Sequence, residues 1–257
     1  MRNKSNSIFG LAILISVFFV AGCDSSSIPK NVYEEAVGSK ERSKKNSRND
    51  VYRKPVQVLT YSGLKAGMSV ADISAGTGYY TELFSSIVGD SGKVYLHNKP
   101  SYLKRADKKA LIDELLAKSS FANTKLVSGK LDNLQLPSKV DLIFISKIFH
   151  DLYNGKNREG VDKNVKAFLS ELRRNLNDDG VILIIDHSAS NSDDMALNRK
   201  LHRIEESVVK EIFESNGFEF VSSSEVLRNK EDTKELSIWD SKISKKTDRF
   251  VFKFKKK

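Results

Sequence analysis

The stretch Val70-Ala71-Asp72-Ile73-Ser74-Ala75-Gly76-Thr77-Gly78-Tyr79-Tyr80 decides how this chain is read. A short apolar run ends in an acid. A turn of small residues follows, carrying two glycines. Apolar residues at helical spacing then begin with Tyr80, Leu83, Phe84 and Ile87. The order predicts a strand, a tight loop and a helix N-terminus. In a parallel sheet that geometry exposes bare backbone at the carboxyl end of a strand, where a ligand can lie against it.

The same alternation continues outward. Short apolar runs predict strands over 69–73, 93–97, 124–128, 140–146, 181–185, 218–222 and 249–254. Helical spacing predicts helices over 50–63, 103–118, 164–176 and 202–216, in addition to the one that ends near Val88. Pro55 fits the first turn of a helix, so a boundary is expected at Arg53 or Lys54. The inner strands are continuous apolar runs rather than alternating ones. They therefore predict a parallel sheet covered on both faces, and the last two strands, with no helix between them, predict an antiparallel pair at one edge.

The first residues read as an address. Arg2 and Lys4 precede an apolar stretch from Ile8 to Ala21, which ends in Val20-Ala21-Gly22-Cys23. That stretch is short for a membrane span and right for the apolar region of a signal peptide. The small residues before the cysteine resemble the lipobox of bacterial lipoproteins. The resemblance implies a signal peptide over 1–22, cleavage before Cys23, and a lipid on its thiol that anchors the protein in the membrane. The domain is then expected on the non-cytoplasmic side of the cell envelope. Residues 23–49 are rich in Ser, Lys, Asn and Arg and predict a polar tether, with a short helix at Val32–Val37. The folded domain is expected over 50–257.

Cys23 is the single cysteine, which excludes a disulfide within the chain. The net charge of +10 is spread along 257 residues and reads first as a lysine-rich solvated surface, then as affinity for anionic headgroups. Nucleic acid ranks last as a partner, because no interleaved aromatic and basic motif is present. No His/Cys group has metal-ligand spacing along the sequence, so no metal is expected.

The segment Asp72–Gly78 resembles motif I of the class I S-adenosylmethionine-dependent methyltransferases. The segments Asp186-His187, Leu201-His202-Arg203-Ile204, Leu227-Arg228-Asn229, Trp239-Asp240 and Thr247-Asp248-Arg249-Phe250 resemble a narrower family of bacterial predicted methyltransferases. The resemblance implies a Rossmann-like α/β fold: seven strands, mostly parallel, the last antiparallel, with helices on both faces. It implies S-adenosylmethionine as cofactor. Asp72 is then expected to engage its ammonium, and Ser74, Ala75, Gly76, Thr77 and Gly78 to form the loop against its methionine part. The first N–H groups of the helix, at Thr77–Tyr79, are expected to meet its carboxylate. Ser74 stands where the family pattern has a glycine. Asn98 stands where it has the acid that holds the ribose hydroxyls. Lys130 departs from the acid that reads the adenine amine, while Leu131 is placed to pack on the base.

In such folds the segment after the fourth strand faces the methyl donor. Here it is Ser146-Lys147-Ile148-Phe149-His150-Asp151. His150 is expected to take a proton from a hydroxyl or amine, with Asp151 beside it, since an unperturbed imidazole titrates near neutrality. Asp186-His187 offers a second acid and imidazole on the same rim. Tyr79, Tyr80, Tyr153 and Arg203 are expected to close the pocket. Two readings result. One is a membrane-anchored methyltransferase acting on a small-molecule, lipid-linked or envelope substrate. The alternative is a non-catalytic envelope lipoprotein that keeps the fold and binds a nucleoside-type ligand.

Overall fold

The computed structural model describes residues 31–155, 157–190 and 194–257. The leader, Cys23 and the start of the expected tether lie outside the described residues.

Seven strands form one sheet: β1 (Ser69–Ile73), β2 (Lys93–Asn98), β3 (Thr124–Ser128), β4 (Val140–Ser146), β5 (Leu176–His187), β6 (Phe218–Ser224) and β7 (Arg249–Lys256). Their order is β3-β2-β1-β4-β5-β7-β6. β1 to β5 pair in parallel, and β7 runs antiparallel to both β5 and β6. This is the expected fold class. Because side chains alternate across a strand, each central strand feeds two cores. Ala71, Ile143, Ile145, Ile182 and Ile184 enter one, while Val70, Leu142, Phe144, Leu183 and Ile185 enter the other. Burial on both faces explains why these strands read as unbroken apolar runs.

The helices are α1 (Asn31–Gly38), α2 (Lys44–Ser47), α3 (Asp50–Arg53), α4 (Pro55–Ser62), α5 (Tyr79–Val88), α6 (Pro100–Leu103), α7 (Ala106–Leu116), α8 (Phe149–Tyr153), α9 (Arg158–Asn175), α10 (Met195–Leu201) and α11 (Glu206–Ser215). Pro55 stands at the start of α4, and Lys54 takes a left-handed conformation to make the break.

Four expectations are corrected. The short helix expected at Val32–Val37 is present as α1, but it is docked on the domain, and the stretch expected to be a tether over 23–49 is folded from Asn31 onward. Tyr33 and Ala36 of α1 are buried against Leu83, Phe84 and their neighbours. The Tyr33 hydroxyl donates to the carbonyl of Leu64 at 2.9 Å. The buried Arg42 guanidinium grips both carboxylate oxygens of Asp50 at 2.8 Å. Composition marked this stretch as polar, but two apolar residues one helical turn apart and a paired arginine suffice to dock it.

The helix expected over 202–216 begins only at Glu206, as α11, and a separate helix, α10, precedes it at Met195–Leu201. His202 caps α10 in a left-handed conformation at φ 56°. The chain then straightens, and the Ile204 N–H donates to the carbonyl of His187 at 3.0 Å before α11 begins. Arg203, expected at the pocket, is instead fully buried in a bidentate pair with Asp232. The strand expected over 181–185 starts earlier, at Leu176: β5 opens where Leu176 pairs with Val140 and the Asn177 amide donates to Asp141 at 2.7 Å.

Candidate active site

The strand order reverses between β1 and its neighbours β2 and β4. In open α/β sheets the ligand crevice forms at such a point, outside the carboxyl ends of the strands. A cleft of about 560 Å³ lies there, within the usual size of small-molecule sites. Asp72, Ser74, Ala75 and Gly76 line one side. Lys147, His150, Asp151 and His187 line the other, and Arg53 and Trp239 stand at its margins.

Both strand ends carry non-glycine residues in the left-handed region: Ser74 at φ 53° after β1, and Lys147 at φ 60° after β4. Such conformations cost energy and concentrate at functional sites. The turn at Ser74 explains why the family pattern favours glycine there. Gly76 also has a positive φ, 63°, so a side chain at this position would be strained as well as brought against the Tyr102 hydroxyl.

The loop is largely self-satisfied. The Ser74 N–H donates to His97 Nδ1 at 3.3 Å, and the Ala75 N–H to the carbonyl of His97 at 2.9 Å. The Gly76 N–H donates to Asn98 Oδ1 at 3.0 Å, and the Gly78 N–H to the carbonyl of Ala75 at 3.1 Å. Burial pushes the His97 imidazole down to about 4, so the ring is neutral and its Nδ1 can accept.

Four expected cofactor residues are therefore placed differently. Asn98 does not line the cleft. Its carbonyl oxygen takes the Gly76 N–H, and its amide donates to the Gly76 carbonyl at 2.8 Å, so both of its ends brace the loop. Leu131 is buried in the core beside Val127 and Leu134 rather than facing the cleft. Thr77 faces a small separate concavity with Asn46 and Leu115. Gly78 packs against Leu96 and Leu115. Asp72, Ser74, Ala75 and Gly76 remain at the cleft.

Asp72 is buried and accepts a hydrogen bond from the Thr81 hydroxyl at 2.7 Å. Burial lifts its carboxyl to about 7, against the opposing pull of that hydroxyl and of Arg53. A cation arriving beside it would restore its charge. Arg53 lies 4.0 Å from the centroid of the Tyr79 ring, held over its face. Tyr79 is in turn fixed by donating to Asp50 at 2.6 Å. The segment expected to be a tether thus carries, through Arg42 and Asp50, one wall of the site.

On the opposite wall, Asp186 is fully buried under His150. It accepts from the His150 backbone N–H at 3.0 Å and the His187 backbone N–H at 2.8 Å, and it pairs with His150 Nδ1 at 2.6 Å. Burial would raise the Asp186 carboxyl, but the His150 charge and these bonds hold it below the usual carboxylate range. Burial would likewise lower the His150 imidazole, yet Asp186 and Asp151 lift it to about 10. His150 therefore keeps its proton at neutral pH, contrary to its expected role as a free base. Its orienting partner is Asp186, not the adjacent Asp151. His187 is pushed down to about 3 by burial and by nearby positive charge, with Asp186 opposing, and bonds the Thr247 hydroxyl at 2.7 Å.

Lys147, on the same wall, was not singled out from the sequence. Burial and the charges of Arg53 and Arg249 push its ammonium down to about 7, so it is the half-deprotonated amine of the cleft at neutral pH. Arg53 was likewise missed. The usable signal for Lys147 was a lone lysine straight after an apolar parallel strand; Arg53 gave none.

With this geometry in place, relatives can be compared. A family model described as a methyltransferase domain matches residues 64–242. The fold and this match define a class I S-adenosylmethionine-dependent methyltransferase. The chain belongs to that methyltransferase-domain family. The ubiquinone/menaquinone biosynthesis C-methyltransferase UbiE of Hahella chejuensis is 44% identical over 52 residues, 20% of this chain and 21% of that protein. The UbiE of Pseudomonas paraeruginosa is 28% identical over 135 residues, 52% of this chain and 47% of that protein. The chain thus spans less than half the length of either relative. The crystal structure of a SAM-dependent methyltransferase from Aquifex aeolicus superposes with a TM-score of 0.57 at 21% identity, covering 88% of this chain and 98% of that one. The cleft fits that cofactor: the buried Asp72 carboxylate lines it where an ammonium would find a partner, and the loop beside it turns at Gly76 with a positive φ that a side chain would strain.

The brace at Asn98 has a direct test. Asn98→Asp installs the family's acid but removes the donor to the Gly76 carbonyl. We expect cofactor affinity, read by calorimetry, to fall roughly tenfold, the cost of one buried hydrogen bond. A gain in affinity would return this position to ribose binding.

Proposed function

We propose that the protein transfers a methyl group from S-adenosylmethionine to a small nucleophile held between the Asp72 loop and the Lys147–His150 wall. The observation that carries this reading is that one cleft joins the motif I loop to a neutral-range amine and a carboxylate-held imidazole. Asp72 would hold the cofactor's ammonium, and Arg53, presented over Tyr79, its carboxylate. The cofactor supplies an electrophilic methyl carbon: its carbon–sulfur bond breaks, and the pair returns to sulfur as the acceptor's lone pair bonds to carbon. Lys147 takes the proton the acceptor loses. His150, fixed by Asp186, faces the acceptor as an oriented ring rather than abstracting a proton. Methyl transfer depends chiefly on alignment, which rigid strand ends supply. The aromatic margin of Tyr102 and Trp239 suits a planar acceptor, in keeping with the ubiquinone/menaquinone biosynthesis named for the UbiE relatives.

We also propose that the protein is held at the membrane through a lipid on Cys23. The basic start, the apolar stretch and the small residues before Cys23 support this. Among the described residues no helix is long and apolar enough to cross a membrane. Labelling of cells with radioactive palmitate should mark the wild type and not Cys23→Ala; equal labelling of both removes the anchor.

Cofactor binding should depend on the protonation of Asp72. Its carboxyl is neutral below about 7, and the ammonium favours the carboxylate, so binding expels a proton. Affinity for S-adenosylmethionine should therefore climb severalfold between about pH 5.5 and 7. Asp72→Asn should abolish the climb and weaken binding by roughly 10- to 100-fold. A flat profile in the wild type would place the ammonium elsewhere.

Turnover separates the roles on the opposite wall. With a hydroquinone or phenol acceptor and labelled cofactor, Lys147→Met should lower kcat by roughly 100-fold, within the range of lost acid–base catalysis, while cofactor affinity stays within about threefold. A loss of affinity with kcat retained would make Lys147 a carboxylate ligand. Absence of S-adenosylmethionine binding at millimolar concentration would end the methyltransferase reading and favour the non-catalytic one.

A further inference from the structure

The fold gathers three side chains that spacing along the sequence does not reveal. The ligand-capable atoms of His150, Asp151 and His202 all lie within 4.8 Å of one another at the cleft rim. We infer that these three residues form a binding site for a divalent transition metal of the zinc and iron(II) class.

The first argument is tautomeric. Asp186 accepts from two backbone N–H groups, so it is oriented and ionised, and His150 Nδ1 must be the donor of their 2.6 Å bond. That leaves Nε2 facing outward, 3.3 Å from Asp151 Oδ1. With Nδ1 donating to Asp186, this contact is made either by a proton on Nε2 or by a metal ion in that proton's place. The same carboxylate oxygen is approached by His202 Nδ1 at 2.9 Å. One carboxylate oxygen thus draws two imidazole nitrogens, an arrangement in which one metal ion would take the place of two hydrogen bonds.

The second argument is dimensional. For metal–ligand bonds of about 2.0–2.1 Å, neighbouring ligand atoms sit about 2.9 Å apart at a right angle and about 3.4 Å apart at a tetrahedral one. The two measured edges, 2.9 Å and 3.3 Å, fall at these values.

The third argument is the surrounding support. A carboxylate bonded to the far nitrogen of a ligand histidine is the usual second layer of such sites, and Asp186 fills that position. His202 is held by the helix end at Leu201 and by the buried Arg203 that follows it. Two imidazoles and one carboxylate select zinc, iron(II) or their neighbours over calcium or magnesium, which prefer oxygen. Three protein ligands leave a coordination position open, as in catalytic rather than structural sites. His150 and Asp151 line the cleft, so that position opens onto it. On the methyltransferase reading, on which this step rests, the open position takes an oxygen of the acceptor. The acceptor class is then a hydroxyl, phenol or enol.

The test uses the full-length chain, stripped with EDTA and titrated with zinc by calorimetry, with cobalt as a spectroscopic probe. We expect one zinc per chain with Kd of about 10 μM or below, and cobalt bands without a thiolate charge-transfer signal. His202→Ala and Asp151→Ala alter partly exposed side chains and should leave the metal-free melting curve in place. Each should weaken zinc at least tenfold, and together they should abolish it. Substoichiometric zinc, or affinity unchanged in the double variant, overturns the site. Calorimetry with S-adenosylmethionine in EDTA separates the two proposals. Cofactor binding without zinc binding sinks the metal site alone, and zinc binding without cofactor binding sinks the methyltransferase reading alone.

Discussion

A carboxylate at the end of β5, wholly out of water, is the constraint around which the catalytic wall is arranged. An isolated buried charge is costly, so Asp186 must be surrounded by donors. Two backbone N–H groups and one imidazole supply them. Meeting that demand sets the start of α8, because the His150 N–H is one of the donors, and it sets the turn at His187, because the next is that residue's own N–H. The direction of the His150 ring follows. Its outer nitrogen can face only the rim, where Asp151 and His202 stand. The rim geometry is thus a consequence of satisfying one buried acid.

The opposite wall obeys a different economy. Its loop uses its own N–H groups on His97, Asn98 and Ala75, which makes it rigid without a ligand. A preorganised loop spares the ordering cost of binding. It also means that cofactor recognition leans on side chains more than on backbone. Asp72 and Arg53 are the charged pair suited to an ammonium and a carboxylate, and both are partly formed by elements outside the loop. Thr81 orients Asp72, and the docked N-terminal segment carries Arg53.

The parts legible in the sequence share one property: their signal is local. β1 and β4 occupy the expected residues because a strand buried on both faces must be apolar almost throughout and is bounded by turn residues, and the edge strand β3 also lies at its expected residues. Asp72 and Gly76 were legible for the same reason, as a strand end followed by a turn needing positive φ. What escaped depends on distant partners. Nothing near Asn98 tells that it will serve Gly76, twenty-two residues earlier. Nothing near His150 points to Asp186 rather than the adjacent Asp151. Leu131 looked available for a base and is instead part of the core cluster that holds Val127, Leu134 and Val140. The segment 31–49 looked polar because one turn of apolar residues and an ion pair do not register in composition.

The charge balance of the cleft ties its two walls together. Lys147 is held near neutrality by burial and by Arg53 and Arg249, so its state depends on whether those cations are matched. An anionic group reaching Arg53 would offset part of that repulsion and raise the Lys147 amine. A cation reaching Asp72 would act in the opposite sense on the loop side, by restoring the carboxylate. A zwitterion does both at once and leaves the net field across the cleft almost unchanged. A ligand bearing only one of the two charges would shift one wall without compensation from the other. On the proposed reading an amino-acid moiety would match this cleft, and its selection would rest on Arg53 and Asp72 together rather than on either residue alone.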